Sequence, residues 1–289
     1  MLYAPVVDFP ASARRRAERD HVEDIMNWSK LLLATGLTVA LVAPAVATTG
    51  REVIDDAQKR NGFSTWRDRT LDVTTESYTT TLQRTRDATV IEQTDPRGEH
   101  RTFMEFTAPS DVNGTLFLHL SPRGDKDQQW LWTPTSRRAR RLADAQRDEN
   151  FMGTDLSYRD LELIVRIQQW NDDESTATLL PEETIDGKTC QVVELVPKNN
   201  EFSYTKYRLW FGKNDALLEQ VEVYDDKGKV TKRMRLRDYQ RIQNYATARE
   251  ADVSNVQYDT RTRFKITNVR YDTNVDENVF TVSNIQKGR

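Results

Sequence analysis

Apolar and polar residues alternate along most of the chain, and short turn signals interrupt the alternation at regular intervals. Glycine-containing turns of the Asp-Gly, Asn-Gly and Lys-Gly type supply the positive φ that hairpins need. Alternation with period two places one set of side chains on a packed face and the other set in water. The pattern therefore predicts an antiparallel meander of short strands. The clearest alternating runs are RTFMEFTAP, TLFLHL, QWLWTP, KTCQVVELVP, SYTKYRLWFG and RFKITNVRYD.

Two segments depart from this alternation and carry helix signals instead. The first, TGREVIDDAQKRNG, opens with Thr49 and Glu52 in a capping box and ends at Gly62. The second, TDLSYRDLELIVRIQQW, places Ser157 and Asp160 in the same relation ahead of an apolar stripe. In a small β protein such helices bury their apolar side across the concave face of the sheet or in its mouth. Neither a repeat nor a linker interrupts the strands, so the pattern predicts one domain.

A predicted secretory signal peptide begins at Met26. A lysine precedes the uncharged, mostly apolar run 31–43, and an A-x-A cleavage motif ends at Ala47. The run is shorter than the about 20 apolar residues of a membrane-spanning helix, although an uncleaved anchor is the alternative. We therefore predict that residues 1–47 comprise an upstream extension and a cleaved signal peptide. Residues 48–289 are predicted to be a single periplasmic domain.

The formal net charge of −3 and the predicted export both argue against a nucleic-acid-binding protein, which is usually basic. Cys190 is the only cysteine, and a buried core thiol is favoured over a bridge between chains. His100 and His119 have no carboxylate or cysteine at metal-ligand spacing, and the common catalytic motifs are absent from the sequence. The sequence therefore predicts no metal, no cofactor, no catalytic residue and no enzyme activity.

Large aromatic and apolar residues concentrate on the central strands and on the segment that follows them. A filled sandwich core is the simplest explanation, and a curved sheet whose inner face lines a cavity is the functional one. Phe151 and Met152 precede Gly153 on a loop into the second helix, so they are predicted to plug the empty cavity. The residues predicted to line an apolar ligand cavity are Phe103, Phe106, Phe117, Trp130, Trp132, Phe151, Met152 and Trp210.

Four arginines follow the tryptophan-containing strand, beyond a proline that ends it. They are predicted to lie outside the cavity or at its mouth, and to contact anionic lipid headgroups or an acidic partner. The alternative is a solvated segment in which they pair with Asp144, Asp148 and Glu149. The four are Arg137, Arg138, Arg140 and Arg141.

The segments NGTLFLHL, QWLWTPTSRRARRLA and FMGTDLSYRDLE resemble the outer-membrane lipoprotein-sorting protein family, which is related to the LolA and LolB carriers. The resemblance extends over most of the chain after Thr49. It implies a mainly β, α+β fold, namely a half-open antiparallel β-barrel with helices lidding an apolar cavity. It further implies a periplasmic carrier that shields the acyl chains of a lipid or lipoprotein during transfer toward the outer membrane.

The partners that the resemblance implies are lipid or lipid-modified protein cargo, with an inner-membrane transporter as a candidate donor. Shielding has a physical basis, since burying one methylene group is worth about 0.8 kcal/mol. A periplasmic sensor or adaptor, which would bind a protein or lipid signal without transport, is the main alternative. An enzyme acting on envelope substrates is a third hypothesis, and no motif supports it.

Overall fold

The computed structural model builds the chain after Ala47 around one antiparallel sheet. Residues 1–47, and with them the predicted extension and signal peptide, lie outside the described residues. Among the described residues, no helix is both long and apolar enough to cross a membrane. The described residues are 48–62, 65–122, 125–168, 173, 175–198 and 204–288.

Thirteen strands form the sheet in this part of the chain, and short helices accompany them. The strands are β1 (Asp68–Tyr78), β2 (Leu82–Thr94), β3 (His100–Ala108), β4 (Leu116–Ser121), β5 (Gln128–Trp132), β6 (Arg140–Arg141), β7 (Ser175–Ile185), β8 (Lys188–Pro197), β9 (Lys206–Gly212), β10 (Leu218–Tyr224), β11 (Val230–Ile242), β12 (Tyr245–Asn255) and β13 (Thr260–Tyr271). The α-helices are α1 (Gly50–Asn61), α2 (Tyr158–Gln168) and α3 (Val282–Lys287). Single 3₁₀ turns cover Asp144–Asp148, Phe151–Gly153 and Glu277–Phe280.

The strands follow one another in the sheet in the order β6-β5-β4-β3-β2-β1-β13-β12-β11-β10-β9-β8-β7. The first strand, β1, therefore lies near the middle, where it pairs with the last strand, β13. Strands β6 and β7 form the two edges, so the sheet is open. The connection between them carries α2 and has to pass from one edge of the sheet to the other. The predicted α+β class, with a half-open antiparallel sheet, is confirmed.

Strand β11 illustrates how the alternation divides the sheet into two faces. Met234 and Leu236 pack on the side where α1 and α2 lie, which we call the inner face. Arg233, which precedes Met234 along the strand, points to the opposite, outer face and forms an ion pair of 2.7 Å with Glu222. The period-two pattern of the sequence thus separates a covered apolar face from a charged, solvated one in this half of the sheet.

Both predicted capping boxes are present, and they set where α1 and α2 begin. The backbone N–H of Glu52 donates to Thr49 Oγ1 (3.2 Å), and the Thr49 N–H donates to the Glu52 carboxylate (2.7 Å). The N–H of Ser157 donates to Asp160 Oδ2 (2.6 Å), and the Asp160 N–H donates to Ser157 Oγ (3.1 Å). Helix α1 ends at Gly62, whose φ of 64° is the left-handed conformation of a C-cap.

The apolar sides of α1 and α2 pack together on the inner face of the sheet. Ile54 of α1 is 1% exposed and belongs to one cluster with Leu163 and Ile167 of α2. The same cluster contains Leu195 and Leu209, which come from neighbouring strands. Burying side chains of this size is worth about 1.5–3 kcal/mol each, and this burial holds both helices on the sheet.

The outer face of β3–β5 is covered by the C-terminal segment that contains α3. Phe280 and Ile285 of this segment pack against Leu118 and Trp132 of the sheet. All four side chains are at most 6% exposed, so the space between the segment and the strands is filled. The molecule therefore has a second apolar cluster, on the side of the sheet that α1 and α2 do not cover.

Candidate functional site

An apolar hollow lies between the inner face of the sheet and the segment that carries α2. It consists of three spaces of about 250, 200 and 130 Å³, and Leu156 and Ile164 line all three. Because the spaces share these walls, we treat them as one site and call it the inner hollow. Its sheet wall is mainly aliphatic and aromatic, and includes Leu71, Val73, Met234, Leu236, Phe264 and Ile266.

Strand alternation produces this lining. Leu71 and Val73 are two residues apart on β1, and Val73 stands opposite Ile266 on β13. Asp72, between them, points to the outer face and accepts a hydrogen bond of 2.8 Å from Thr89. Apolar walls offer an alkyl chain no hydrogen bonds, but they remove it from water at about 0.8 kcal/mol per methylene group. The inner hollow is therefore suited to hydrocarbon.

The segment Phe151–Asp160, which we call the strap, crosses the inner face at one end of the hollow. At its start, Nη1 of Arg86, a residue of β2, donates to the carbonyl oxygen of Met152. The Ser77 hydroxyl of β1 donates to the carbonyl oxygen of Gly153 at 3.1 Å. Two neighbouring strands thus hold the first residues of the strap through its backbone.

The rest of the strap is held through two buried carboxylates. Asp155 accepts hydrogen bonds from the hydroxyls of Thr260 and Thr262 on β13, the second at 2.7 Å. Asp160 forms an ion pair with Lys232 of β11 and accepts a hydrogen bond from Tyr204 at 2.7 Å. The strap is therefore fastened to β2, β1, β13 and β11, and closes this end of the hollow with polar contacts.

Phe151 fills the space beneath the strap. Its ring meets Phe117 at 5.1 Å and Tyr158 at 5.2 Å between centroids, both in edge-on geometry. Phe106 belongs to the same cluster, and Met152 packs against it. The structure thus brings together three predicted lining residues, Phe106, Phe117 and Phe151, at one wall of the hollow. Met152 adjoins them without lining the hollow, and the plug role of Phe151 and Met152 stays a prediction.

The predicted lining needs correction at Phe103, Trp130 and Trp132. Phe103 lies three residues before Phe106 on β3, so their side chains point to opposite faces. The register pairs Trp130 with Leu118, which places both on the same side as Phe103. These residues belong to the cluster on the outer face, beneath the C-terminal segment. They therefore face away from the inner hollow.

Trp210 also lies on the outer face. Its neighbours on β9, Leu209 and Phe211, belong to the inner-face cluster, so the tryptophan between them points the other way. It packs with Cys190, and its Nε1–H donates to Glu183 at 2.9 Å. This placement satisfies the indole polar group and removes Trp210 from the lining of the hollow.

The four predicted headgroup arginines are all exposed, in the loop before β6 and on β6 itself. The described ion pairs include none of them, and the carboxylate of Asp148 is paired with Arg159 at 2.7 Å instead. The guanidinium of Arg141 lies 5.8 Å from the Trp130 ring centroid. Contact of Arg137, Arg138, Arg140 and Arg141 with headgroups or a partner stays a prediction.

A polar cluster that the sequence did not predict borders the hollow. Arg69 lines it, forms an ion pair with Glu92 and lies 4.5 Å from the Trp66 ring. Burial on its own would raise the pKa of Glu92, but Arg69 and the nearby His100 outweigh it and hold the pKa at about 2. Burial lowers the pKa of His100. The Arg69 charge is thus balanced within the protein.

A second buried cluster ties β4 and the residue before β5 to α2. His119 Nε2 lies 2.8 Å from Asp127 Oδ2, and the Ser121 hydroxyl donates to the other Asp127 oxygen at 3.1 Å. Arg147 bridges the Asp127 carbonyl oxygen (2.8 Å) and Glu162 (3.1 Å). Burial, followed by the charge of Asp127, raises the pKa of Glu162. Because Ser121 donates to the carboxylate and not to the histidine, the group lacks the nucleophile–base pair of a catalytic triad.

The Cys190 thiol and potential metal ligands are two further kinds of reactive group. Burial raises the pKa of the Cys190 thiol, which keeps it protonated and poorly nucleophilic. The described residues contain no group of three or more histidine, cysteine or acidic side chains placed to hold a metal ion. We therefore take the inner hollow, whose described lining is mainly apolar, as the candidate site.

One of the missed contacts had a signal in the sequence. Arg69 and Glu92 stand directly opposite each other in the β1–β2 hairpin, so a correct register would have paired them. The contacts of the strap had no such signal, because Asp155 and Asp160 meet strands that lie far from them in the sequence. Asp155 and Asp160 reach their partners only because the strap crosses the inner face of the sheet.

Comparison with known proteins places this geometry among related folds. A family model described as "Uncharacterized protein" matches residues 98–287. A domain assigned to outer membrane lipoprotein sorting from Vibrio parahaemolyticus is 25% identical, with a TM-score of 0.72. The match covers 82% of this chain and 97% of that one. The curated proteins include no match to this chain.

Two further structures share the fold at lower identity. A DUF1329 family protein from Desulfovibrio piger is 24% identical with a TM-score of 0.72, over 82% of this chain and 99% of that one. A LolA superfamily protein from Nitrosomonas europaea is 16% identical with a TM-score of 0.62, over 81% of this chain and 98% of that one. The resemblance seen in the sequence is confirmed, and the fold is LolA-like.

Proposed function

Since the chain belongs to the family whose model matches residues 98–287 and has a LolA-like fold, we propose that it is a carrier for acyl chains. The cargo is a lipid or a lipid-modified protein, and the inner hollow shields its hydrocarbon from water. The carrier works in the periplasm and delivers its cargo toward the outer membrane. An inner-membrane transporter supplies the cargo.

The inner hollow is the observation that carries this proposal. A chain of about 16 carbons is stabilised by roughly 13 kcal/mol when it leaves water, at about 0.8 kcal/mol per methylene group. Each of the three spaces is smaller than the about 300–1,000 Å³ of usual small-molecule sites, so a chain occupies them jointly. The strap is the element whose displacement admits cargo, because it is held by exchangeable polar contacts.

The four exposed arginines extend the proposal to the membrane surface. Arg137, Arg138, Arg140 and Arg141 contact anionic headgroups or an acidic partner while the hollow holds the hydrocarbon. None of them forms a described ion pair, although the guanidinium of Arg140 donates to Gln146 at 3.1 Å. This surface is separate from the hollow, so cargo binding and surface contact are separable functions.

Lipid retention tests the proposal. The chain is purified from the periplasm and its solvent-extractable lipid is measured, together with the native mass of the protein. We expect co-purified lipid in the unsubstituted protein and a loss of that lipid to background in Ala251→Trp. Ala251 lines the hollow between Leu236 and Phe264, so an indole there occupies the space.

The matched control is Ser254→Trp, three residues along the same strand and on its outer face, opposite Arg233. It should retain the lipid of the unsubstituted protein. Lipid retained by Ala251→Trp would contradict the hollow as the binding site. A bound protein without lipid would favour an adaptor over a carrier.

A further inference from the structure

Two arginines of β2 flank the strap where it begins. Gly153 has a φ of 74°, and a Cβ atom at this position would lie 3.2 Å from Nη1 of Arg84 and 3.2 Å from Nη1 of Arg86. The absence of a side chain therefore lets both guanidinium groups approach the same point of the strap. Two like charges are held close together at one end of the inner hollow.

Arg86 is the buried member of this pair. It is 6% exposed and lines the hollow, and its Nη1 donates to the Met152 carbonyl oxygen. Its Nε is buried without a hydrogen-bond partner among the described residues. Burial, followed by repulsion from Arg84, lowers the pKa of Arg86, and the charge of Asp111 opposes both effects.

The charges of this pair are not balanced within the described protein. The described ion pairs, which extend to 4.0 Å, include neither Arg84 nor Arg86, whereas Arg69 at the same hollow is neutralised by Glu92. A buried cation is costly unless an anion pairs with it. Guanidinium groups bind phosphate through paired, charge-assisted hydrogen bonds. The pair thus has the donors and the charge for an anion, beside walls that accept hydrocarbon.

We propose that Arg84 and Arg86 bind a phosphate group at the rim of the inner hollow, as the headgroup of a lipid whose acyl chain lies inside. This inference rests on the proposed carrier function and specifies its cargo as an anionic amphiphile. Arg86 contacts the phosphate from within the hollow, and the exposed Arg84 contacts it from the solvent side. Gly153 provides the room between them.

Calorimetric titration of the delipidated full chain tests the proposal with three probes. Palmitoyl lysophosphatidic acid and monopalmitoylglycerol share one acyl chain and differ by the phosphate, and inorganic phosphate has no chain. We expect a preference of about tenfold or more for the phosphate-bearing lipid, as for one charged hydrogen bond, and weaker preference at high salt. Inorganic phosphate alone should bind far more weakly than this lipid.

Arg84→Gln and Arg86→Gln should each reduce the preference to within about twofold, and Arg84→Gln, at a position that does not line the hollow, should leave the affinity for the neutral lipid unchanged. Arg84 is exposed and makes no described hydrogen bond, so Arg84→Gln should fold normally even if Arg86→Gln loosens the strap. Arg97→Gln is the matched control, since Arg97 lies in the turn after the far end of β2 and is paired with Asp95 at 3.0 Å.

The outcomes separate this inference from the carrier function. Equal affinity of the unsubstituted chain for both lipids would overturn the phosphate site and leave the carrier intact. Failure to bind either lipid would overturn the carrier function and the inference with it. Inorganic phosphate binding as tightly as the phosphate-bearing lipid would assign the site to free phosphate and overturn the headgroup.

Discussion

On the outer face of β3–β5, Phe280 and Ile285 fill the space above Phe103 and Trp132, whereas on the inner face the strap and α2 leave a hollow above Val73. Both faces of β3–β5 are apolar, and the hollow extends over their inner face beside Phe106 and Phe117. The outer cover is attached by packed hydrocarbon alone, whereas the inner cover combines packed hydrocarbon along α2 and beneath Phe151 with hydrogen bonds and an ion pair along the strap. The way the cover is attached, more than the apolar character of the strands, decides which face has a hollow.

This difference has an energetic basis. A packed side chain gains many weak dispersion contacts, and a void beside it forfeits them. The inner face therefore has unused capacity for contacts, which an apolar ligand can supply. Polar contacts such as those of Asp155 and Asp160 can be exchanged for water more readily than a filled core can be opened. The inner hollow and the strap, whose polar contacts can be exchanged for water, thus lie on the same face.

The largest expected effect comes from breaking the filled face. Phe103→Ala should lower the free energy of unfolding by about 3–5 kcal/mol, because it opens a cavity in a packed cluster. Ile266→Ala, at the wall of the hollow, should cost less than about 2 kcal/mol, because one side of Ile266 already faces the hollow and has no packing partners to lose. Denaturant titration of both variants measures the contrast. Equal losses would show that the two faces are packed alike.

A smaller effect is expected at the ion pair beside the hollow. Glu92→Gln should cost about 2–3 kcal/mol, less than for a fully enclosed pair, because it leaves Arg69 without its counter-charge. Since the folded pKa of Glu92 is about 2 and its ordinary value is 4.5, the stabilisation is complete above about pH 4.5 and is lost as the pH falls toward 2.

Unfolding curves measured between pH 6 and pH 2 test this dependence. The unsubstituted protein should lose stability over the stated interval, and Glu92→Gln should lose less over the same interval. Parallel curves for the two proteins would contradict the assignment of the acid-sensitive stabilisation to this carboxylate.

The smallest expected effect concerns the cover itself. Thr262→Val removes one hydroxyl donor from the buried Asp155 and should cost about 1–2 kcal/mol. Because the strap is then held less firmly, exchange of a bound fluorescent fatty acid should become faster. Thr267→Val, an exposed position on the same strand, is the control and should change neither quantity. Unchanged exchange in Thr262→Val would separate strap fastening from cargo release.

Local signals made much of the fold predictable from the sequence. The capping boxes at Thr49 and Ser157 depend on residues three apart, and both form as predicted. The alternation of the strands depends on neighbouring residues and likewise holds. These features are set by contacts within a few residues, so tertiary structure had little opportunity to override them.

The faces of the aromatic residues were not predictable in the same way. Alternation states that Trp130 and Trp132 share a face, but not which face, because both sides of these strands are apolar. The answer depends on Phe280 and Ile285, which reach Trp132 from the end of the sequence. Phe103 and Phe106 show a limit of a different kind, since their spacing alone already assigns them to opposite faces.

The pairing of β1 with β13 has a consequence for how the molecule is made. The sheet becomes continuous only after its last strand is synthesised, because that strand closes the seam against the first. Contacts between such distant parts of a chain form slowly, because the entropy of closing a large loop is lost before the contacts can stabilise the fold. The two halves of the sheet, β1–β6 and β7–β12, therefore stay unjoined until β13 has left the ribosome.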